Sequence, residues 1–410
     1  MRPRTSARLY YLAARLWLTA AGLALLLPPS GRRGIWLPLH LTLAGAVTVS
    51  ISGAMQNFAA ALTATAAPPA SAVWAQFGLV NAGALLLALG YPGNHPGLVE
   101  LGGAAFLAGI AVLGWIVWRA WSRAVNRRHP VPMALYGCAV AALLAGGTLG
   151  ALIGGGAVHD PFVWLSLRRA HMTVNVLGWV SLTIAGTLVT LLPTVLRIRM
   201  PSWHGASAAL VLAGGVALVA LGLALDATPV SGVGGVAYAL GAASLLRLAG
   251  RALSTPRRWP APVSAKHFAA AAAWFVGGAI ALAVALARGS EAFDAFRQVY
   301  LVVFVGGWIV QTLLGAWLYL LPMATPGHPD ERRRSLAGVE LGATLQLAAL
   351  NGGLVLMVLR AGGWVGDTVG AVGVGLALGG AALALLKAWA FNLLGRAPVL
   401  TDRQLEVWGA

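Results

Sequence analysis

The sequence predicts an all-α fold: a polytopic transmembrane bundle of about twelve helices, built as three pseudo-repeats of four. Three observations predict it. Charged residues make up 10% of the 410-residue chain, against about 25% in an average soluble domain. Hydrophobic residues make up 59%, the mean hydropathy is +0.80, and the apolar residues gather into runs long enough to cross a bilayer. A glycine-containing motif also recurs on the second, sixth and tenth runs. A soluble protein needs more polar surface than this composition supplies, so a soluble globular enzyme, a disordered chain and a nucleic-acid-binding domain are all excluded.

The runs fall at 8–27, 35–62, 71–90, 101–120, 131–155, 170–195, 206–225, 229–249, 267–287, 298–321, 337–359 and 364–391. Lipid cannot satisfy an open backbone, so runs of this length must be helices. Arg2, Arg4 and Arg8 precede the first. That run is long for a signal peptide, and Pro28-Pro29 follows it where a small-residue cleavage site would lie, so it reads as the first span. Proline clusters at Pro68-Pro69, Pro92 to Pro96, Pro256 to Pro262 and Pro326 to Pro329 punctuate later runs. Glu340 is expected in the first turn of the eleventh helix, where the helix dipole favours it.

The net charge of +17 is first a topology signal. With the N-terminus cytoplasmic, 21 of the 28 basic residues lie inside, from Arg8, Arg15 and Arg119 through Arg257, Arg258, Arg396 and Arg403. Both termini are therefore expected in the cytoplasm. The exceptions are Arg32, Arg33, Arg168, Arg169, Arg288, Arg297 and Arg360. The Arg, Ala and Gly skew points to a GC-rich bacterial genome, and so to the bacterial inner membrane. The only cysteine, Cys138, excludes disulfides, thiolate zinc sites, iron–sulfur clusters and covalent c-type haem attachment.

Residues 171–194 and 300–323 align without gaps. Gly178/Gly307, Trp179/Trp308, Gly186/Gly315 and Pro193/Pro322 match, among others. Residues 40–53 form a fainter copy through Gly45 and Gly53, with Ile51 matching Ile184. The whole chain then reads as one transmembrane domain with repeat units of roughly 1–130, 131–260 and 261–410. Small residues at this spacing let helices approach closely, so packing alone is one account of the glycines.

Twelve helices in three groups of four, with special residues on the second, sixth and tenth, resemble subunit I of the haem–copper oxidases. The likeness extends to smaller haem–copper-type membrane proteins, including the NnrS family. His40 through Gly45 to Gly53 fits their pattern of His, glycine and second glycine. His171-Met-Thr173-Val-Asn175-Val-Leu-Gly178-Trp179 looks like their H-x-H step with Thr173 in place of the second His. The resemblance implies haem or copper bound through His40 and His171 near the periplasmic face. It also implies a setting in respiration or nitrogen-oxide metabolism, beside a periplasmic cupredoxin-type oxidase or nitrite reductase. Tyr300 and Val302 stand where the tenth helix of the oxidases carries axial histidines, and the seventh run has no His. The implied protein is thus a relative with a reduced ligand set, without oxygen reduction or proton pumping.

Each candidate has a plainer reading. His40 and His171 are either ligands or histidines bonded to backbone carbonyls. Arg32, Arg33, Arg168, Arg169 and Arg297 precede the repeat helices, where they would pair with haem propionates or a small anion, or anchor on lipid phosphate. His95 and His159 are loop residues within reach of an external site. His129, His204, His267 and His328 read as boundary residues at the cytoplasmic ends. A metal-free transporter or scaffold that kept the fold is the alternative function.

Overall fold

A computed structural model of the chain describes residues 3–199, 205–256, 260–324 and 329–393. His204, His328, Arg2, Arg257, Arg258, Arg396 and Arg403 lie outside the described residues. Everything regular among the described residues is helical. The helices are α1 (Pro3–Ala24), α2 (Trp36–Thr63), α3 (Ala70–Gly90), α4 (Pro96–Ser122), α5 (Pro130–Gly154), α6 (Pro161–Leu196), α7 (Gly205–Ala224), α8 (Thr228–Ser254), α9 (Val263–Ala287), α10 (Ser290–Ala324), α11 (Pro329–Glu340), α12 (Ala343–Ala361) and α13 (Asp367–Leu393).

Eleven helices among the described residues are long and apolar enough to cross a membrane: α2 to α10, α12 and α13. They answer to eleven of the twelve expected spans. α1 has 22 residues, but Arg8, Arg15, Tyr10 and Tyr11 dilute its apolar content, and it is not among the eleven. Large apolar side chains on the exposed faces, such as Leu376, Leu378, Leu383 and Leu386 of α13, meet the lipid. Two expectations are corrected. The sixth and tenth helices start well before their apolar runs, at Pro161 and Ser290. Glu340 does not open a spanning helix; it ends α11, and its Oε1 accepts the backbone N–H of Val263 at 2.7 Å, at the start of α9.

Residue contacts divide the chain into two compact units. One comprises Met1–Val189, His204–Ser244 and Ala279–Phe293; the other comprises Thr190–Trp203, Leu245–Gly278 and Asp294–Ala410.

The repeat is visible inside the helices. α2, α6 and α10 each contain a π-helical stretch: Leu41–Val47, Val174–Val180 and Leu301–Val310. The register that pairs Gly45 with Gly178 pairs the first two stretches end to end. At their ends the backbone N–H groups of Thr48, Ser181 and Gln311 bond to carbonyls five residues back, on Leu43, Val176 and Gly306. The Thr48 and Ser181 hydroxyls donate to the same two carbonyls, at 2.8 and 2.7 Å. A π turn is rare and occurs mostly as a single wide turn within an α-helix, so three at matching sites mark one device used three times.

The repeat glycines are seats for side chains of the preceding helix. A β-carbon on Gly45 would lie 2.8 Å from the Trp17 ring, and one on Gly307 would lie 2.5 Å from the Trp274 ring. Each indole then donates to an asparagine on a later helix: Trp17 Nε1 to Asn81 of α3 at 2.7 Å, and Trp274 Nε1 to Asn351 of α12 at 2.8 Å. Gly53 seats Tyr10, whose hydroxyl donates to Gln76 at 2.5 Å; Gly315 seats His267, whose Nε2 lies 2.9 Å from Gln346 Nε2. The first and third repeats thus share two polar pairs, one part-buried and one buried. In the middle repeat Gly178 abuts Ala142, and Gly186 abuts Leu135 and Tyr136. His267, in the second turn of α9, is fully buried within its unit.

The third and fourth helices of every repeat form a tight hairpin closed by glycine. β-carbons on Gly83 of α3 and Gly215 of α7 would lie 2.5 and 2.6 Å from the backbone nitrogens of Phe106 and Tyr238; Gly353 of α12 meets the backbone of Ala377 in the same way. Without a hydrophobic drive between helices in lipid, such close backbone contact supplies the packing energy.

One long-range bond ties the second helix to the sixth. The fully buried Trp179 indole donates from Nε1 to Thr48 Oγ1 at 3.1 Å. Thr48→Val keeps the volume and strands this donor, so we expect a loss of about 1–3 kcal/mol in stability. A double-mutant cycle with Trp179→Phe measured by thermal melting checks it. Additive losses would mean that the bond carries no energy.

The sequence match makes Trp308 the repeat counterpart of Trp179, and the two indoles have different neighbours. Trp308 of α10 is also fully buried, but it stacks on Phe275 of α9, with ring centroids 4.3 Å apart and planes at 19°. The reason lies on the preceding helix. The register that pairs Ala142 with Trp274 and Leu135 with His267 sets Leu143 against Phe275, so α5 brings an aliphatic side chain where α9 brings a ring. The match thus holds for helix, register and burial, and fails for the packing partner.

Candidate functional site

The structure brings His40 and His171 together. Both lie in the first unit, and their rings are 6.4 Å apart between centroids with an interplanar angle of 9°. His40 reaches this place from α2, immediately before the first π stretch, and His171 from α6, three residues before the second. The latter is the eleventh residue of its helix, so it does not open the helix as the apolar run had predicted.

Each ring is held by its Nδ1. His40 Nδ1 lies 2.9 Å from the carbonyl of Trp36, one turn back on the same helix. His171 Nδ1 lies 2.7 Å from the carbonyl of Gly146 on α5. A carbonyl only accepts, so both rings carry the Nδ1 proton and leave the Nε2 lone pair for another partner. Neither Nε2 has a hydrogen-bond partner among the described residues. Asn175, one turn after His171, places its amide 3.1 Å from His171 Nδ1, while its Oδ1 is buried without a partner. With the amide turned over, that oxygen becomes a second acceptor for the Nδ1 proton.

Packing fixes the ring planes. Trp36 stacks on His40 at 3.9 Å and on Tyr91 at 4.4 Å. On the other ring, a β-carbon at Gly150 would lie 2.5 Å from His171 Cε1, so only glycine leaves room there. Trp36, Gly146 and Gly150 carry no chemical signal in the sequence. Only spacing hints at them: Trp36 is four residues before His40, and the two glycines are four apart on one helix face.

Two parallel imidazoles can share one metal. Among the described residues no group of three or more His, Cys, Asp or Glu converges, so no third imidazole, thiolate or carboxylate joins the pair.

Several of the candidate arginines have protein partners. Arg169 is buried and pairs with Asp226 at 3.9 Å, while Arg168 lies over the Trp164 ring at 5.3 Å. Arg32 donates to the carbonyls of Leu27 and Gly34, and Arg33 to Asn94. Arg360 pairs with Asp367.

His95, His129 and His159 sit at helix entries. His95 and His129 immediately precede Pro96 and Pro130, the first residues of α4 and α5. His159 precedes Asp160, whose carboxylate caps α6 by accepting the N–H groups of Phe162 and Val163 at 2.8 and 2.9 Å. These are helix-start positions, where proline and a capping carboxylate suit the free N–H groups. In the second unit Tyr300 is fully buried and packs on Phe304, with 4.8 Å between ring centroids. Cys138 is exposed on α5.

The fold and this pair define a class: a multi-pass helical membrane protein with a paired-histidine site inside its bundle. No protein-family model matches the chain, and no curated protein matches it.

Proposed function

We propose that the chain is a bacterial inner-membrane protein that binds one copper ion between His40 and His171. The observation that carries this reading is the pair of near-parallel rings at 6.4 Å, each held at Nδ1 by a backbone carbonyl. Two neutral imidazoles without a carboxylate or thiolate suit copper(I), which accepts low coordination and nitrogen ligands. Bound there, the ion supplies one-electron redox chemistry or a copper store. The residues hold it, shield it behind Trp36 and fix the ring tautomers. On the resemblance to haem–copper-type proteins, the setting is respiration or nitrogen-oxide metabolism. The partner class is then a periplasmic cupredoxin-type oxidase or nitrite reductase, with both termini of this chain cytoplasmic.

The test uses purified full-length protein loaded with copper(I) and, separately, with haem. Metal analysis should find one copper per chain after gel filtration, and the X-ray absorption edge should have the form of a two-coordinate copper(I) centre. Absorption spectra should show no Soret band. Protein that retains neither copper nor haem would be a metal-free transporter or scaffold, and the proposal would fall.

A further inference from the structure

The first unit holds a second polar recess, far along α2 from the histidine pair. A cavity of about 180 Å³ opens where α2 ends and α4 ends, lined among others by Gln56, Ala60, Thr65, Pro68, Arg119 and Arg123. Its wall is pinned by the Thr63 carbonyl, which accepts the N–H groups of both Val125 and Asn126 at 3.0 Å. No acidic residue lines it. Neither guanidinium has a carboxylate or hydrogen-bond acceptor among the described residues. Arg119 is half-buried and lies over the Trp115 ring at 5.8 Å.

Position in the membrane narrows the ligand. Trp115, Trp118 and Trp121 crowd this end of α4, and Arg127 lies over Trp121 at 5.5 Å. Tryptophans gather at the depth of the lipid headgroups. Two guanidinium forks facing one recess at that depth match the oxygens of a phosphate group, which each can bind through two parallel hydrogen bonds. We infer that this cavity binds a phosphate group through Arg119 and Arg123, supplied by an anionic lipid headgroup or by free phosphate.

Titrations of lipid-stripped protein with short-chain phosphatidylglycerol and with inorganic phosphate test this, with the melting temperature as readout. We expect at least one of them to raise it in the wild type. R119Q/R123Q should need about thirtyfold more of that ligand, the factor that corresponds to roughly 1 kcal/mol for each lost basic contact. R127Q/R128Q should titrate like the wild type. A response to the lipid alone identifies a headgroup, and a response to phosphate alone identifies a soluble ion. If the double variant does not fold, R123Q on its exposed side chain carries the test, with about a fivefold change. The inference is overturned if neither ligand stabilises the wild type, or if the arginine variants titrate as it does.

Discussion

His171→Ala is expected to abolish copper retention by the protein. The described residues bring two imidazoles to the site and no further His, Cys, Asp or Glu to replace either. Losing one leaves a single neutral nitrogen, which cannot hold the ion through gel filtration. His40→Ala should do the same. Asn175→Ala acts more gently, because Asn175 touches the Nδ1 side of His171 and only steadies the ring. Partners of this kind typically contribute 10–100-fold in metal affinity, so that is the expected loss. Gly150→Ala keeps every ligand but drives a methyl group into the His171 ring, and it should fall between the two. Copper per chain, measured against a competing chelator, ranks the four. A His171→Ala protein that keeps wild-type copper would place the ion elsewhere.

The largest effect on stability is expected from Gly83→Leu. The obstacles around a β-carbon at this position are backbone atoms: Phe106 N at 2.5 Å and Gly102 O at 2.7 Å. A side chain can swing aside, but a helix backbone cannot, so α3 and α4 must part along their contact. Overpacking of a tight site costs about 1–3 kcal/mol and sometimes more, and this case belongs at or above the upper end. Gly78→Leu is the matched control. It lies on the same helix with nothing within 4 Å of its β-carbon, and it should be close to neutral. Thermal melting in detergent compares them; equal losses in the two would refute close backbone packing as the reason for Gly83.

Much of this architecture is written in the sequence. Twenty-residue apolar runs have one solution in lipid, and eleven of the expected spans coincide with helices. The glycine pattern that related 40–53, 171–194 and 300–323 marks three helices that share a π stretch and a seat for a neighbouring side chain. The match of Trp179 with Trp308 located two buried indoles, yet one bonds to Thr48 and the other stacks on Phe275. An alignment of two helices does not report what the helices beside them carry. His40 and His171 were visible as candidates, but their meeting was not. Their repeat positions differ by two residues, and a periodicity argument has no means to place two rings from different helices in parallel. The helix starts at Pro161 and Ser290 were hidden because those entry turns are polar and carry no apolar signal. The burial of His267 was not legible, because it depends on Gly315 and Gln346, far along the chain.

The π stretches have a consequence for how these helices tolerate change in length. A π turn is an α turn with one residue to spare. In α2, α6 and α10 the chain is therefore slightly longer than the axis it covers. Losing a residue within Leu41–Val47 would let the turn close to α form, with both flanks keeping their faces. The same loss elsewhere in α2 would rotate everything beyond it by about 100°, carrying Thr48, Gly53 and Gln56 off their partners. The slack is stored immediately after His40 and His171, where the ring positions could be adjusted by one residue while the rest of each helix kept its register.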